Sequence, residues 1–488
     1  MGEKKLARRE FLKLGAAAGA SVALGSGPYA SAKPLRTSKA DILVDGASRL
    51  QRIDGFGFSE AFQRANILHG SEGLSQEKQR EVLDLLFDTE KGAGFSILRN
   101  QIGSAPDNTF DHMRSIEPTS PGSPTAKPHY VWDGSDNSQV WLSKEAMRYG
   151  VRTIYADAWS APGYMKTNGS YKDGGYLCGV PGTSCPYDWR QAYANYLVQY
   201  LRFYEQEGIE ITYVGFLNEP ELATSYASMQ SNGLQAADFI KILGPTLERS
   251  GLGTKIACSD SVGWKEAEKM AQQILSDPEA AEHLSLVTGH GYADGPSFPI
   301  ESDGRPVWQS EWSTFDSWNT SWDDGSESSG LSWASRISTA LSEASVNAFF
   351  YWWGAHEKDD NEGLIRLQGN SYSVSKRLWA FAGYSRSVRP GDVRLESHVR
   401  NPNLKVTAFR GRGERLSVQA INTSGSDAVV EVEVRHAGVG RWITPYLTNG
   451  LNSLSKKKPL AVRRGTFRTT IPARSMVTFV NRERSRER

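Results

Sequence analysis

Cysteine is scarce, with three in 488 residues: Cys178, Cys185 and Cys258. That is too few for a disulfide framework, and no Cys/His spacing of the kind that binds zinc accompanies them. Net charge is nearly absent as well, 56 Lys+Arg against 55 Asp+Glu. No basic field therefore points to nucleic acid or an anionic membrane as partner. Long apolar runs are missing too, and the weakly apolar N-terminal stretch, broken by Gly and Ser, is too short to span a bilayer. Nothing in the chain signals a cofactor, and none is expected.

What is present begins with a segment unlike the rest. Residues 1–32 have a basic start, a short apolar stretch and the small-residue ending Ala30-Ser31-Ala32, the layout of a cleaved secretory signal. Within it "RREFLK" resembles the twin-arginine export signal, with Arg8 and Arg9 followed by Phe11, Leu12 and Lys13. Secretion in folded form is the expectation. Removing the segment leaves 51 basic and 53 acidic side chains. In an oxidising compartment Cys178 and Cys185, in "CGVPGTSC", are placed to close a local loop as a disulfide, while Cys258 in "KIACSD" reads as a buried free thiol.

After residue 50, short apolar runs alternate with amphipathic stretches, the pattern of parallel βα units. Strands are expected at "RIDGFGF" from 52, "FSILRN" from 95, "VRTIYADAW" from 151, "ITYVGFLNE" from 211, "KIACSD" from 255, "LVTGHGY" from 286, "PVWQSEW" from 306 and "NAFFYWW" from 347. Helices are expected at "SQEKQREVLDLLF", "WRQAYANYLVQYLRFYEQEG", "AADFIKILGPTLERSG" and "SWASRISTALSEAS". Eight strands with interleaved helices make an α/β fold, a (β/α)8 TIM barrel over residues 52–385. Near residue 386 the pattern changes to strict alternation without long helices, giving an antiparallel β-sandwich over 386–481. The strand-like stretch within 33–51 is expected to join that sandwich, and 482–488 is a charged tail.

The run "ITYVGFLNEPEL" ends an apolar strand on Glu219, where a buried carboxylate costs several kcal/mol unless paired or protonated. Glu311 ends the seventh strand in "VWQSEWSTF". In a barrel, the C-terminal strand ends build the site. Two carboxyls facing across its mouth are what glycosidic cleavage needs, one protonated acid and one ionised nucleophile or base. Partial desolvation and the partner's charge are expected to keep Glu219 protonated near neutral pH. Trp159, Trp352 and Trp353, at the ends of the third and eighth strands, could stack on a pyranose, with one of the last two facing inward. His290 reads as a hydrogen-bonded wall residue and not a metal ligand, since no partner lies at metal-binding spacing.

With "DGFGFSEAF", "ILRNQIGS", "ADAWSAPGYMK", "FLNEPE", "HGY", "WQSEWS" and "GYSRSVRPG" in order, the chain resembles glycoside hydrolase family 30 over nearly its whole length after the export segment. The resemblance implies a secreted retaining enzyme with Glu219 as acid/base and Glu311 as nucleophile. It also implies Asn218 on the sugar 2-hydroxyl, and Arg99 and Tyr292 donating to Glu311 to hold it ionised. "GFGFSEAFQRANIL" resembles the fungal-type xylanase branch, in which an arginine of the first loop can clamp a glucuronate, the place Arg64 occupies; Asn108 is a further candidate in that region. A fork of guanidinium on carboxylate gives geometric selectivity.

The expected partner is accordingly a polysaccharide, xylan or glucuronoxylan, and the expected state a monomer. Other specificities of the family are the alternatives: β-1,6-glucanase or galactanase, β-xylosidase, glucosylceramidase-like. So is a barrel that binds sugar without cleaving it. A metal-dependent hydrolase lacks clustered His/Asp ligands at the strand ends. The long Pro/Ser-rich loop 104–134 either walls off the cleft or lies outside it, which leaves endo and exo action open.

Overall fold

The computed structural model describes residues 38–481. The export signal read in residues 1–32 and the tail 482–488 lie outside the described residues. The described chain starts in β1 (Ile42–Arg52) and then lays down eight strands. These are β2 (Gly55–Ser59), β3 (Ile97–Ile102), β4 (Thr153–Ala158), β5 (Tyr213–Gly215), β6 (Lys255–Ser261), β7 (Leu284–His290), β8 (Val307–Glu311) and β9 (Ala348–His356). Neighbours pair in parallel, and β9 pairs with both β8 and β2, so the barrel closes as expected. β2, β3, β8 and β9 are buried at every residue. Strands enclosed by barrel interior on one face and helices on the other must be.

The helices are α1 (Gln76–Phe87), α2 (Gln139–Arg148), α3 (Arg190–Gln206), α4 (Gly233–Ser250), α5 (Trp264–Leu275), α6 (Pro278–His283), α7 (Gly330–Ser342) and α8 (Lys376–Ser385). Periodicity names α1, α3, α4 and α7. α8 escapes it for a physical reason: wedged between barrel and sandwich, it buries Arg377, Leu378 and all six residues from Ala380 to Ser385, so it shows no single apolar stripe.

Inside the barrel the period of two sorts side chains into layers. Ile97, Tyr155, Leu286, Trp308 and Phe350 form an apolar floor. Two residues further along, the same faces carry Arg99, Asp157, Thr288, Ser310 and Trp352, so the polar layer sits on the floor at the C-terminal end. Three register shifts interrupt this layer. Between β6 and β7 the pairing jumps from Cys258↔Val287 to Ser261↔Gly289, between β7 and β8 it skips Ser310, and between β2 and β9 it skips Trp352. Such bulges re-aim side chains beside sites. β5 is shorter than the expected 211–219: the ladder stops at Gly215, where a Cβ would lie 2.2 Å from Asp157 Oδ1.

The second sheet, with a separate apolar core, runs β17 (Ser455–Lys456), β16 (Trp442–Thr448), β20 (Ser475–Asn481), β14 (Leu416–Asn422), β13 (Leu404–Arg410), β12 (Val393–Val399), β1, β15 (Ala428–Arg435) and β19 (Thr466–Ile471). β18 (Leu460–Ala461) pairs with β16, and β10 (Gly363–Gln368) with β11 (Ser371–Val374) extends β9 of the barrel. The ribbon curls into a sandwich, with Phe467 of β19 packed on Phe479 of β20 at 5.4 Å. β1 completes it as expected, but pairs parallel with β15, so the sheet is not wholly antiparallel. α8 seats on it through Gly383, whose carbonyl accepts from Thr478 Oγ1 at 2.8 Å.

The loop 104–134 divides in two. Its first part crosses the barrel rim, where Asp111 pairs with Arg64 and His112 Nε2 meets Tyr171 Oη at 2.9 Å. Its later part lies outside, Trp132 stacking on Phe203 of α3 at 5.0 Å. Cys178 and Cys185 form the expected disulfide, and Cys258 is a buried free thiol.

A left-handed turn at Asp136, Asn137 and Ser138 (φ +48°, +53° and +66°) leads from that loop into α2. Asn137 Nδ2 donates to Asn108 Oδ1 at 3.1 Å, and Asp136 Oδ2 accepts from Tyr200, Tyr204 and Gln139, each at 2.7 Å. Burial pushes the Asp136 carboxyl up to about 6, against these donors. A carboxyl raised on folding stabilises fully below its unfolded pKa of about 3.9, and the contribution, on the order of 3 kcal/mol, is lost as pH rises through about 6. Asp136→Asn, which cannot ionise, is expected to flatten the fall in melting temperature between about pH 4 and 7. Identical slopes for variant and parent would contradict the assignment.

Candidate active site

β3 turns Arg99 into the barrel mouth, where burying a guanidinium demands partners. It has them. Nη1 donates to Glu311 Oε2 at 2.5 Å, and Nη2 to Asp157 Oδ2 and Asn218 Oδ1, both at 2.7 Å; Asp260 Oδ1 lies 3.7 Å away. Burial opposes the charge, but the surrounding carboxylates outweigh it and hold the guanidinium cationic. Two of those carboxyls divide the load. Asp260, despite burial, is held down to about 2 by Arg99, His290 and Ser310, whereas burial and then the Asp260 charge push Asp157 well up. Asp260 is ionised and Asp157 neutral, the outcome expected when buried like charges crowd together.

Glu311 closes β8 just past the bulge at Ser310, so it faces His290 across the ladder. Its Oε1 accepts from Tyr292 Oη at 2.9 Å while Oε2 takes Arg99. Glu219 reaches the mouth differently. The chain leaves β5, and Glu219 itself is left-handed (φ +45°), its N–H donating to Asp260 O at 2.8 Å. A left-handed glutamate costs about 1–2 kcal/mol and persists only where its surroundings enforce it. Tyr226 Oη donates to Glu219 Oε2 at 3.3 Å, and His290 Nδ1 lies 3.3 Å from Oε1.

His290 joins the two sides, with Nε2 at 3.3 Å from Asp260 Oδ1 and 3.9 Å from Glu311 Oε2. Burial would lower its pKa, but the Glu311 charge and the bonds to Asp260 and Glu219 raise it to about 9. One oxygen from each glutamate and a His290 nitrogen all lie within 4.8 Å of one another. Sequence spacing did not reveal this cluster, because the fold and not the sequence interval brings its members together. Its donor set could hold a metal, which would have to displace a proton from His290 and compete with Arg99 for Glu311. The arrangement sets two carboxyls toward a common space, Glu311 held by Arg99 and Tyr292 and Glu219 by Tyr226 and His290.

Asn218 Nδ2 is buried without a hydrogen-bond partner among the described residues. Trp159, Trp352 and Trp353 are 1%, 2% and 3% exposed, so none offers an open ring face. Arg99 already covers one face of Trp159 at 4.5 Å. Trp352 faces the inner layer, and the bulge there keeps Trp353 from turning to the opposite face. Both rings lie on the same side, stacked at 4.9 Å, and Trp352 is the one in contact with Trp159 and Phe62.

Arg64 is not the free fork that a glucuronate clamp requires. It is 1% exposed, its Nη atoms are paired with Asp111 and Glu357, its Nε donates to Phe62 O, and its plane covers Trp353 at 4.8 Å. Asn108 is exposed, but its side chain accepts from Arg114 N and Asn137 Nδ2 and so shapes the loop. Asp157, Asp260, Tyr226 and Phe62 belong to the site and were not singled out in the sequence. Asp157 was within reach of the period of two in "YADAW", while Asp260 was hidden by the β6 bulge.

Both His290 nitrogens are expected to carry protons near neutral pH and to titrate near 9, read by nitrogen NMR of the ring. Its contribution to stability is full below about 6.5 and is lost as pH rises through about 9. A neutral ring at pH 7 would refute this charge assignment. Dialysis against a chelator is expected to leave activity unchanged, and its abolition would make the cluster a metal site.

Residues 130–304 match the model of the glycosyl hydrolase family 30 TIM-barrel domain. The catalytic domain of GH30 xylanase C from Talaromyces cellulolyticus superposes with a TM-score of 0.84 and 41% identity, covering 90% of this chain and 99% of that one. Glucuronoxylanase XynC of Bacillus subtilis is 24% identical over 350 residues, 70% of this chain and 76% of its own. Endo-1,6-beta-D-glucanase neg1 of Aspergillus fumigatus is 24% identical over 426 residues, 81% of this chain and 82% of its own. A barrel with this polar layer, aligned along almost its full length with a xylanase of the family, makes the chain a glycoside hydrolase belonging to family 30.

Proposed function

We propose that the protein is a retaining β-1,4-xylanase working by double displacement. One observation carries the reading: oxygens of Glu219 and Glu311 approach within 4.8 Å, on the side of the ~5–5.5 Å spacing of retaining pairs and far from the ~6.5–9.5 Å that an inverting enzyme needs for its water. The substrate class rests on the likeness to xylanase C.

In the first step Glu311 attacks the anomeric carbon while Glu219 gives its proton to the departing oxygen. Arg99 and Tyr292 fix both Glu311 oxygens, so the nucleophile does not rotate away from the sugar. Asn218, itself oriented by Arg99, offers Nδ2 to the 2-hydroxyl, a bond that strengthens as the ring takes oxocarbenium character. In the second step Glu219, now a carboxylate beside the His290 imidazolium, takes a proton from water as that water attacks the glycosyl ester.

Because Arg64 is committed to Asp111 and Glu357, the substrate's glucuronate is not required. We also propose export, which the Cys178–Cys185 disulfide supports, since such bonds persist in oxidising compartments.

Proton NMR of early products from xylan should show the β-anomer first; an initial α-anomer would exclude retention. Arabinoxylan without glucuronate is expected to be cut at a rate similar to glucuronoxylan, whereas cleavage confined to β-1,6-glucan would refute the substrate assignment. Glu311→Ala is expected to lower turnover by about four orders of magnitude or more on every substrate. Glu219→Ala should lose about 100- to 10,000-fold on xylan yet keep burst release from aryl xylosides with good leaving groups. Equal loss on both substrate types would count against the roles.

A further inference from the structure

Phe110 is 89% exposed at the tip of the rim-crossing loop, forgoing the stabilisation that burying its ring would contribute. Exposed phenylalanines on slack loops are unremarked, but this loop is fastened at every turn. Gln63 Nε2 sits among the carbonyl oxygens of Asn108, Phe110 and His112 at 2.8, 2.9 and 2.6 Å. Asp107 Oδ1 takes Thr109 N at 3.0 Å, Thr109 Oγ1 at 2.7 Å and His112 Nδ1 at 2.9 Å. The next residue, Asp111, is ion-paired to buried Arg64. Phe110 itself is left-handed (φ +54°), a backbone state unfavourable for an L-residue and maintained only by such fastening.

The ring also stands in line with the site. Phe110, His112 and Tyr171 follow one another at 6.4 and 5.4 Å, and Tyr171 packs on the cluster of Trp159 and Trp352. From the other direction, Tyr226 on Glu219 touches Phe62, whose neighbour Gln63 holds the Phe110 carbonyl. The inner tryptophans are too enclosed to present a face, whereas Phe110 is almost wholly open.

We propose that Phe110 is a fixed aromatic platform for a pyranose ring of the polysaccharide at a distal subsite, reached only by chains extending beyond the residues at the cleavage point. The apolar C–H face of a sugar fits an uncharged ring, and the preformed loop avoids the ordering cost of closing on it. This rests on the polysaccharide reading above and adds a length dependence to it.

The test compares kcat/KM on xylohexaose with kcat/KM on an aryl xyloside for the full chain and its variants. In Phe110→Ala the ratio of long to short is expected to fall about three- to tenfold, through KM more than kcat. Phe110→Trp should restore it, and Gln63→Ala, which keeps the ring but releases the loop, should lower it. An unchanged ratio in Phe110→Ala, or a variant that alters only the oligomeric mass in light scattering, overturns the platform. If the parent cuts β-1,6-gluco-oligosaccharides instead of xylo-oligosaccharides, the substrate reading fails by itself, and the same length series on the glucan still decides the role of Phe110.

Discussion

The structure of the site depends on one buried cation. Arg99 has no exposed surface, and the cost of desolvating it is recovered only because Glu311, Asp157, Asn218 and Asp260 converge on it. Breaking one side of such a set leaves an uncompensated buried charge, on the order of 3–5 kcal/mol. Four strands are therefore bound to a common point by electrostatics as well as by their ladders. The same contacts orient Glu311 and Asn218 toward whatever occupies the mouth. A second cation, the His290 imidazolium, balances Asp260 and stands between the two glutamates. Fold stability and site geometry use the same groups.

Regular strands alone would not deliver this layer. Bulges at β6, β8 and β9 and the early end of β5 set the positions of Asp260, Glu311, Trp352 and Glu219. These departures lie at the C-terminal rim; one further shift in the β6–β7 pairing, between Ile256 and Ala257, falls at the apolar floor. The floor carries the packing, and the left-handed Glu219 sits above it at the rim, where its surroundings enforce it.

The eight strands were legible because apolar runs of strand length are separated by turn residues and helical stretches, and that pattern survives in any barrel. Glu219 and Glu311 were legible because a carboxylate at the end of a buried strand needs a reason. Arg99, Asn218 and Tyr292 came through the resemblance to the family and not through periodicity. What stayed hidden has physical causes. α8 is buried nearly all round and so shows no stripe; the pairing of Trp352 with Trp353 depends on a bulge; and Arg64 cannot be told from a ligand clamp until Asp111 and Glu357, 47 and 293 residues away, are seen on it. Phe110 looks in sequence like any loop residue, and only the fastening around it gives its exposure meaning.

The central claim is that the oxygen pair fixed by Arg99 and Tyr292 is the one that bonds to the sugar. Incubation with a fluorinated, slowly hydrolysed xylobioside, followed by proteolysis and mass spectrometry, tests this directly. The account predicts one equivalent of glycosyl ester on the peptide containing Glu311. A label on Glu219, or inactivation of turnover with no covalent adduct, would contradict it.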